Sequence, residues 1–189
     1  VAGQGTTLLT GAVNTNTATG VALTTSAITA NNTITTTTGG TVTFTNAGLL
    51  TLNGDISSDG AVTQNGAGAV TITAPRTITT TGDAVSFATD VTLNGGAAGL
   101  VSIDTTAGGS AAGNNITFSG KLDATTALAN AEKLTVDAGT AGNVLFTGAV
   151  GTTRLGDVTI TNANNVTESA GLIARSLTDV GSTVRIVGD

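Results

Sequence analysis

The sequence predicts an all-β fold, a right-handed parallel β-helix or β-solenoid with short strands, and three observations predict it. The first is a recurring tripeptide in which a small residue, usually Thr or Ser, separates two apolar ones. Val42-Thr43-Phe44, Leu50-Thr51-Leu52, Val70-Thr71-Ile72, Val85-Ser86-Phe87, Val101-Ser102-Ile103, Ile116-Thr117-Phe118 and Val158-Thr159-Ile160 are examples. Alternation with a period of two marks a strand with one buried face. The second is punctuation by Asn53-Gly54, Asn65-Gly66, Asn94-Gly95 and Gly108-Gly109, pairs expected to supply positive φ and turn the chain. The third is spacing. Val42 to Val70, Leu50 to Ile78 and Ile116 to Val144 are each about 28 residues apart, and Leu134 to Val158 about 24. This is read as a coil of about 24 to 30 residues with three or so strands, each stacked on its equivalent one coil away. A sandwich would need longer strands of about five or six residues and several large aromatics. This chain has 4 Phe and neither Trp nor Tyr.

Composition narrows the chemistry further. There is no His, Cys, Trp, Tyr or Met, one Pro (Pro75), and roughly a fifth of the 189 residues are Thr. Charged residues make up 10%, well under the roughly 25% of an ordinary globular chain. Val, Ile and Leu nevertheless recur throughout, so a buried core is expected and disorder is not. The net charge of −6 and six scattered basic residues, Arg76, Lys121, Lys133, Arg154, Arg175 and Arg185, argue against nucleic acid or anionic lipid as partners. No apolar run approaches the ~18 residues of a membrane span, so no membrane insertion of this segment is expected.

The expected inward positions are Val42, Phe44, Leu50, Leu52, Val70, Ile72, Val85, Phe87, Val101, Ile103, Ile116, Phe118, Leu134, Val136, Val144, Phe146, Val158 and Ile160. Thr between them would face water, where its branched Cβ favours extended backbone and its hydroxyl stays solvated. Asn at the turns is expected to form ladders along the axis. Ala124 to Lys133 is the one helix-like stretch. Residues 1–189 are read as a single solenoid segment of a longer repetitive chain or filament, six or seven coils and about 30 Å long.

Candidate chemistry is sparse. Asp55, Ser57 and Asp59, followed by Gly60, stand at the first, third, fifth and sixth positions of a calcium-type loop, with oxygen ligands and a turn-forming Gly where such a loop has them. Gly66 occupies the place of the bidentate Glu, so an ordinary Asp-Gly turn is the simpler reading. Calcium is the only cofactor with a candidate site. Asp83, Asp90, Asp104, Asp123 and Asp137 flank Gly or strand ends, where turn chemistry explains them. Without His or Tyr, and with no cluster of Asp with Lys or Arg, no enzyme is expected, although some β-helices act on polysaccharides through paired carboxylates. Thr-rich stretches, Thr33 to Thr38, Thr41 to Thr45, Thr71 to Thr73 and Thr77 to Thr79, raise the alternative of an ice-ordering face. The pattern lapses after Thr81.

Ile116 to Thr167, and more loosely Leu50 to Thr73, resemble the repeats of filamentous-haemagglutinin-like and autotransporter-passenger bacterial surface proteins. The resemblance covers most of the chain after about Ile28. It implies export across a Gram-negative envelope to the cell surface and a structural or adhesive role in adhesion, aggregation, or matrix, sheath or biofilm building. Host or environmental glycans and proteins are the partners that it implies. Unpaired strand edges at the terminal coils add an expectation of end-to-end association, with another copy or with neighbouring repeats.

Overall fold

The computed structural model describes residues 5–96, 99–126, 131–180 and 183–186. Through these residues the chain is a parallel β-solenoid of eight coils, each contributing a strand segment to three stacked faces. Every strand pairing is parallel, and most strands are three to five residues long. With about 4.8 Å per rung the stack is ~35 to 40 Å long, one or two coils more than the sequence suggests.

The first coil is made by Thr6–Leu9, Val13–Thr15 and Val21–Thr25. The rhythm that is plain in the sequence after Ile28 therefore starts at Thr6. On the first face Ile28, Leu50, Val70, Val91, Leu122 and Val150 stack in register. On the second, Val13, Ile34, Ile56, Ile78, Ile103 and Val136 do so. On the third, the column is Val21, Val42, Val62, Val85, Ile116, Val144 and Val166. All 18 residues expected to face inward are buried.

The third-face column also measures the coil. It advances by 20 to 23 residues as far as Val85, by 31 to Ile116, by 28 to Val144 and by 22 to Val166, an average of about 24. The extra residues of the wide coils bulge at corners, one of them carrying the 3₁₀ turn Ala107–Gly109. Individual pairings differ from the simplest reading of the spacing. Val42 stacks on Val62 rather than Val70, and Leu50 on Val70 rather than Ile78. Ile116 with Val144 and Leu134 with Val158 pair as expected.

From Val150 to Asn162 the corner between the first two faces is lost, and one 13-residue strand runs through both. It pairs with Leu122 on one face and with Lys133–Asp137 on the other, so the two faces become one 14-stranded sheet. Gly151, at φ 79°, lets this strand bend, a conformation open mainly to Gly. The helix-like reading of Ala124 to Lys133 is corrected. Ala124 ends the strand Leu122–Ala124 and Lys133 opens Lys133–Asp137, while 127–130 lie outside the described residues.

The Asn-Gly pairs act differently from expectation. Gly54, Gly66 and Gly95 are absent from the positive-φ residues. A Cβ on Gly54 would fall 2.0 Å from the Asn32 carbonyl oxygen, and one on Gly66 2.1 Å from that of Asn46. Gly is needed there because backbones of successive coils touch at the corners. Gly108 and Gly109 do take positive φ, at 70° and 87°.

Candidate functional site

Asp55, Ser57 and Asp59 do not converge on one point. Ile56–Ser58 is a strand, Ile56 and Ser58 are buried, and the three candidate ligands project on the solvent side. Alternate residues of a strand lie about 6 to 7 Å apart, whereas calcium ligands must all reach within about 2.3 to 2.6 Å of the ion. The carboxylates are already engaged. Asp55 Oδ1 accepts the Thr77 amide at 2.9 Å. Asp59 accepts the Gly39 amide and the Thr81 hydroxyl, both at 2.7 Å. These two bonds, the amide foremost, hold its pKa below the ordinary carboxylate value. Among the described residues no three acidic side chains are grouped so as to hold a metal.

Most of the remaining acids serve the main chain. Asp90 Oδ1 accepts the Lys121 amide at 2.8 Å and Asp123 Oδ1 that of Thr153 at 2.8 Å, each bond tying one coil to the next. Asp137 accepts the Gly139 amide, and Asp104 the Thr106 amide and hydroxyl. Asp104 and Asp137 are register partners on adjacent rungs. Their outward neighbours are Thr79, Ser102, Thr135 and Asn162, with no basic or aromatic group in the set.

Nothing in the sequence singles out Glu132, which is fully buried. Its carboxylate accepts from the Gly95, Gly96, Thr125 and Thr126 amides and from both threonine hydroxyls. Burial opposes the charge, but the Thr125 hydroxyl and the amides of Thr126, Gly95 and Gly96 outweigh it and bring the pKa down from 4.5 to about 2. This is a clasp between a loop and the turn of the coil before it. Asp157 sits with Arg175, Ser176 and Lys133 on the outer surface. Its pKa is lowered chiefly by the Arg175 and Ser176 hydrogen bonds.

Two of the surface depressions are lined in part by a leucine. One, of about 360 Å³, brings Asp55 and Arg76 together with Pro75, Thr77, Leu100 and Ser102. The other, of about 440 Å³, lies on the third face between a ridge of Asn115, Asn143 and Asn165 and a ridge of Thr117, Leu145 and Thr167, with Val144 also in its lining. The Asn ridge is one of the ladders expected from the turns. Asn143 donates to Asn115 Oδ1 from its side chain at 3.0 Å and its amide at 2.9 Å, and Asn165 donates to Asn143 Oδ1 at 3.1 Å. A second ladder joins Asn53 to Asn31 at 2.7 Å.

Hydroxyl columns occur on all three faces. Thr29, Thr51, Thr71 and Thr92 align on the first. Thr77, Ser102, Thr135, Thr159 and Thr178 align on the second, and Thr43, Thr63, Ser86 and Thr117 on the third. Among the described residues no helix is long and apolar enough to cross a membrane. No family model matches the sequence, and no curated protein or solved structure matches the chain.

Proposed function

We propose that this chain is a section of an extracellular structural or adhesive fibre on the surface of a Gram-negative bacterium. The observation that carries the reading is the continuous eight-coil stack, in which each coil is held by its neighbours and the sides are columns of hydroxyls and amides. Such a body is a length-scalable rod. Its surface stays wetted with few charges, which suits a spacer or contact surface outside the cell. The acids that hold main-chain amides stabilise corners, which favours a structural role over acid–base catalysis, and the reading requires no cofactor. Hydroxyl columns on three faces fit a general solvent-facing role better than a single ice-ordering plane.

The partners in this reading are further coils. Leu172–Asp179 pairs along one edge with Val150–Asn162 and has no described strand on its other edge. Ile173 and Val180 are 57% and 59% exposed. Another coil, from the same polypeptide or from a second molecule, would cover this edge.

The test is display of the chain, fused to an outer-membrane anchor, on a bacterium that does not aggregate. Fibrous projections in electron micrographs, with faster settling or increased attachment to surfaces, are the expected result. Smooth cells that settle and attach like the anchor-only control, despite surface-exposed chain, would overturn the reading.

A further inference from the structure

We infer that the groove on the third face is a binding site for a neutral glycan chain lying along the solenoid axis, an inference that rests on the surface-fibre reading. Two departures from the surrounding regularity coincide there. The outward column of this face reads Ala22, Thr43, Thr63, Ser86, Thr117, Leu145, Thr167 and Arg185. Leu145 is its only large apolar side chain, and it sits on the solvent side, where the core gives it no role. Beside it, the corner residues Thr41, Ala61 and Ala84 of earlier coils give way to Asn115, Asn143 and Asn165.

The unused hydrogen-bonding capacity points the same way. Among the described residues the Thr117 and Thr167 hydroxyls have no hydrogen-bond partner, and the Asn ladder leaves the Asn115 Nδ2 donors and the Asn165 Oδ1 acceptor open to a ligand. Sugar hydroxyls both donate and accept, and their rings present C–H faces to an apolar residue such as Leu145. A few convergent polar groups beside an apolar patch, in a volume within the usual ~300 to 1,000 Å³, is the general form of a small-ligand site.

Other occupants fit less well. An added peptide strand would need free main-chain groups, yet Asn143–Phe146 is paired on both edges, with Ile116–Phe118 and Asn165–Glu168. None of the residues lining the groove is cationic, the nearest basic residue along the column being Arg185, one rung beyond Thr167, and the whole chain carries a net charge of −6, so a nucleic acid or an acidic polymer is disfavoured. A neutral chain recognised by side chains alone remains. The groove crosses three rungs, about 10 Å, so its ligand is a short stretch of a longer chain.

The test is affinity electrophoresis of the purified chain in gels holding neutral polysaccharides (hydroxyethylcellulose, galactomannan or dextran) or the anionic polygalacturonate. Retardation is expected in at least one neutral gel and not in polygalacturonate. Leu145→Asp should weaken it about tenfold or more, and Thr167→Val by a smaller factor. Thr51→Asp, on the first face, should leave it unchanged. All three positions face solvent, and circular dichroism melts establish that each variant is folded. No retardation in any neutral gel, retardation only in polygalacturonate, or retardation indifferent to Leu145→Asp and Thr167→Val overturns the site. The fibre reading fails separately, when displayed chain gives neither projections nor aggregation while the purified chain still binds.

Discussion

Gln64 occupies a position on the third face where the rungs on either side carry Phe44 and Phe87, and it is 1% exposed. Its side chain donates to Asn46 Oδ1 at 2.8 Å and to the Gly66 and Gly68 carbonyls, and it accepts from the Ala88 amide and the Thr89 hydroxyl. An apolar residue would match its neighbours in the column yet strand these groups. Gln64→Leu is therefore expected to destabilise the fold, by about 1 to 3 kcal/mol for each buried polar group left without a partner. Urea unfolding measures it, and a gain in stability would contradict the account. Glu132 makes the same argument with charge. Its folded pKa of about 2 lies below the ordinary 4.5, so on acidification the unfolded chain takes up the proton first. The stabilisation is complete above about pH 4.5 and is lost as pH falls towards 2, with a size on the order of 3 kcal/mol. The stability difference between wild type and Glu132→Gln should shrink over that window. A difference that is flat with pH would mean that the clasp holds no charge.

Strands are legible in the sequence where both inward residues are large and apolar, and obscure where one of them is polar or small. Val42-Thr43-Phe44 announces itself, whereas Val62–Gln64, Ile56–Ser58, Leu122–Ala124 and Asn165–Glu168 end inward in Gln, Ser, Ala and Glu. Missing Val62–Gln64 makes Val70 look like the next rung after Val42, which stretches the apparent coil. Those polar residues face inward because corners leave backbone groups to satisfy: Ser58 donates to the Gly40 carbonyl at 3.1 Å, and Asn46 to those of Gly48 and Gly68. The third-face groove was hidden for a related reason, since Asn115, Asn143 and Asn165 meet only once the unequal coil lengths are known. Where apolar residues do stack, the column is continuous. Phe87, Phe118 and Phe146 lie with ring centroids 5.4 Å apart and planes within 20°. Phe118→Ala removes the middle ring and should cost about 3 to 5 kcal/mol, read by denaturant titration. A loss below about 1 kcal/mol would indicate that the column collapses into the gap. At the corners the limit is steric. A Cβ on Gly68 would fall 1.6 Å from the Gly48 carbonyl oxygen, so Gly68→Ala should force two coils apart and lower the melting temperature.

At the scale of the molecule, each coil contacts only the coils above and below it, so stability is a sum of neighbour interfaces and falls off where a neighbour is missing. The core reflects this. Val70, Val91 and Val85, in the middle of the stack, are buried to 1% exposure or less, whereas Leu9 and Val13 of the first coil and Leu172 and Ala174 of the last are only partly covered. Hydrogen exchange is therefore expected to be slowest at the amides of Val70, Val85 and Val91, which donate to the Asp90, Asn115 and Lys121 carbonyls of the following coil. It should be fastest along Thr6–Leu9 and Leu172–Asp179. The same measurement addresses end-to-end stacking. If a second copy covers the exposed edge of Leu172–Asp179, protection there rises with protein concentration while the central amides do not change, and light scattering grows in parallel. Because the contact is head to tail and open, the growth continues without reaching a closed size. Net charge of −6 on each copy makes it stronger as salt screens the repulsion. End amides that exchange at one rate from micromolar to millimolar concentration, in low and high salt alike, would contradict end-to-end stacking of copies.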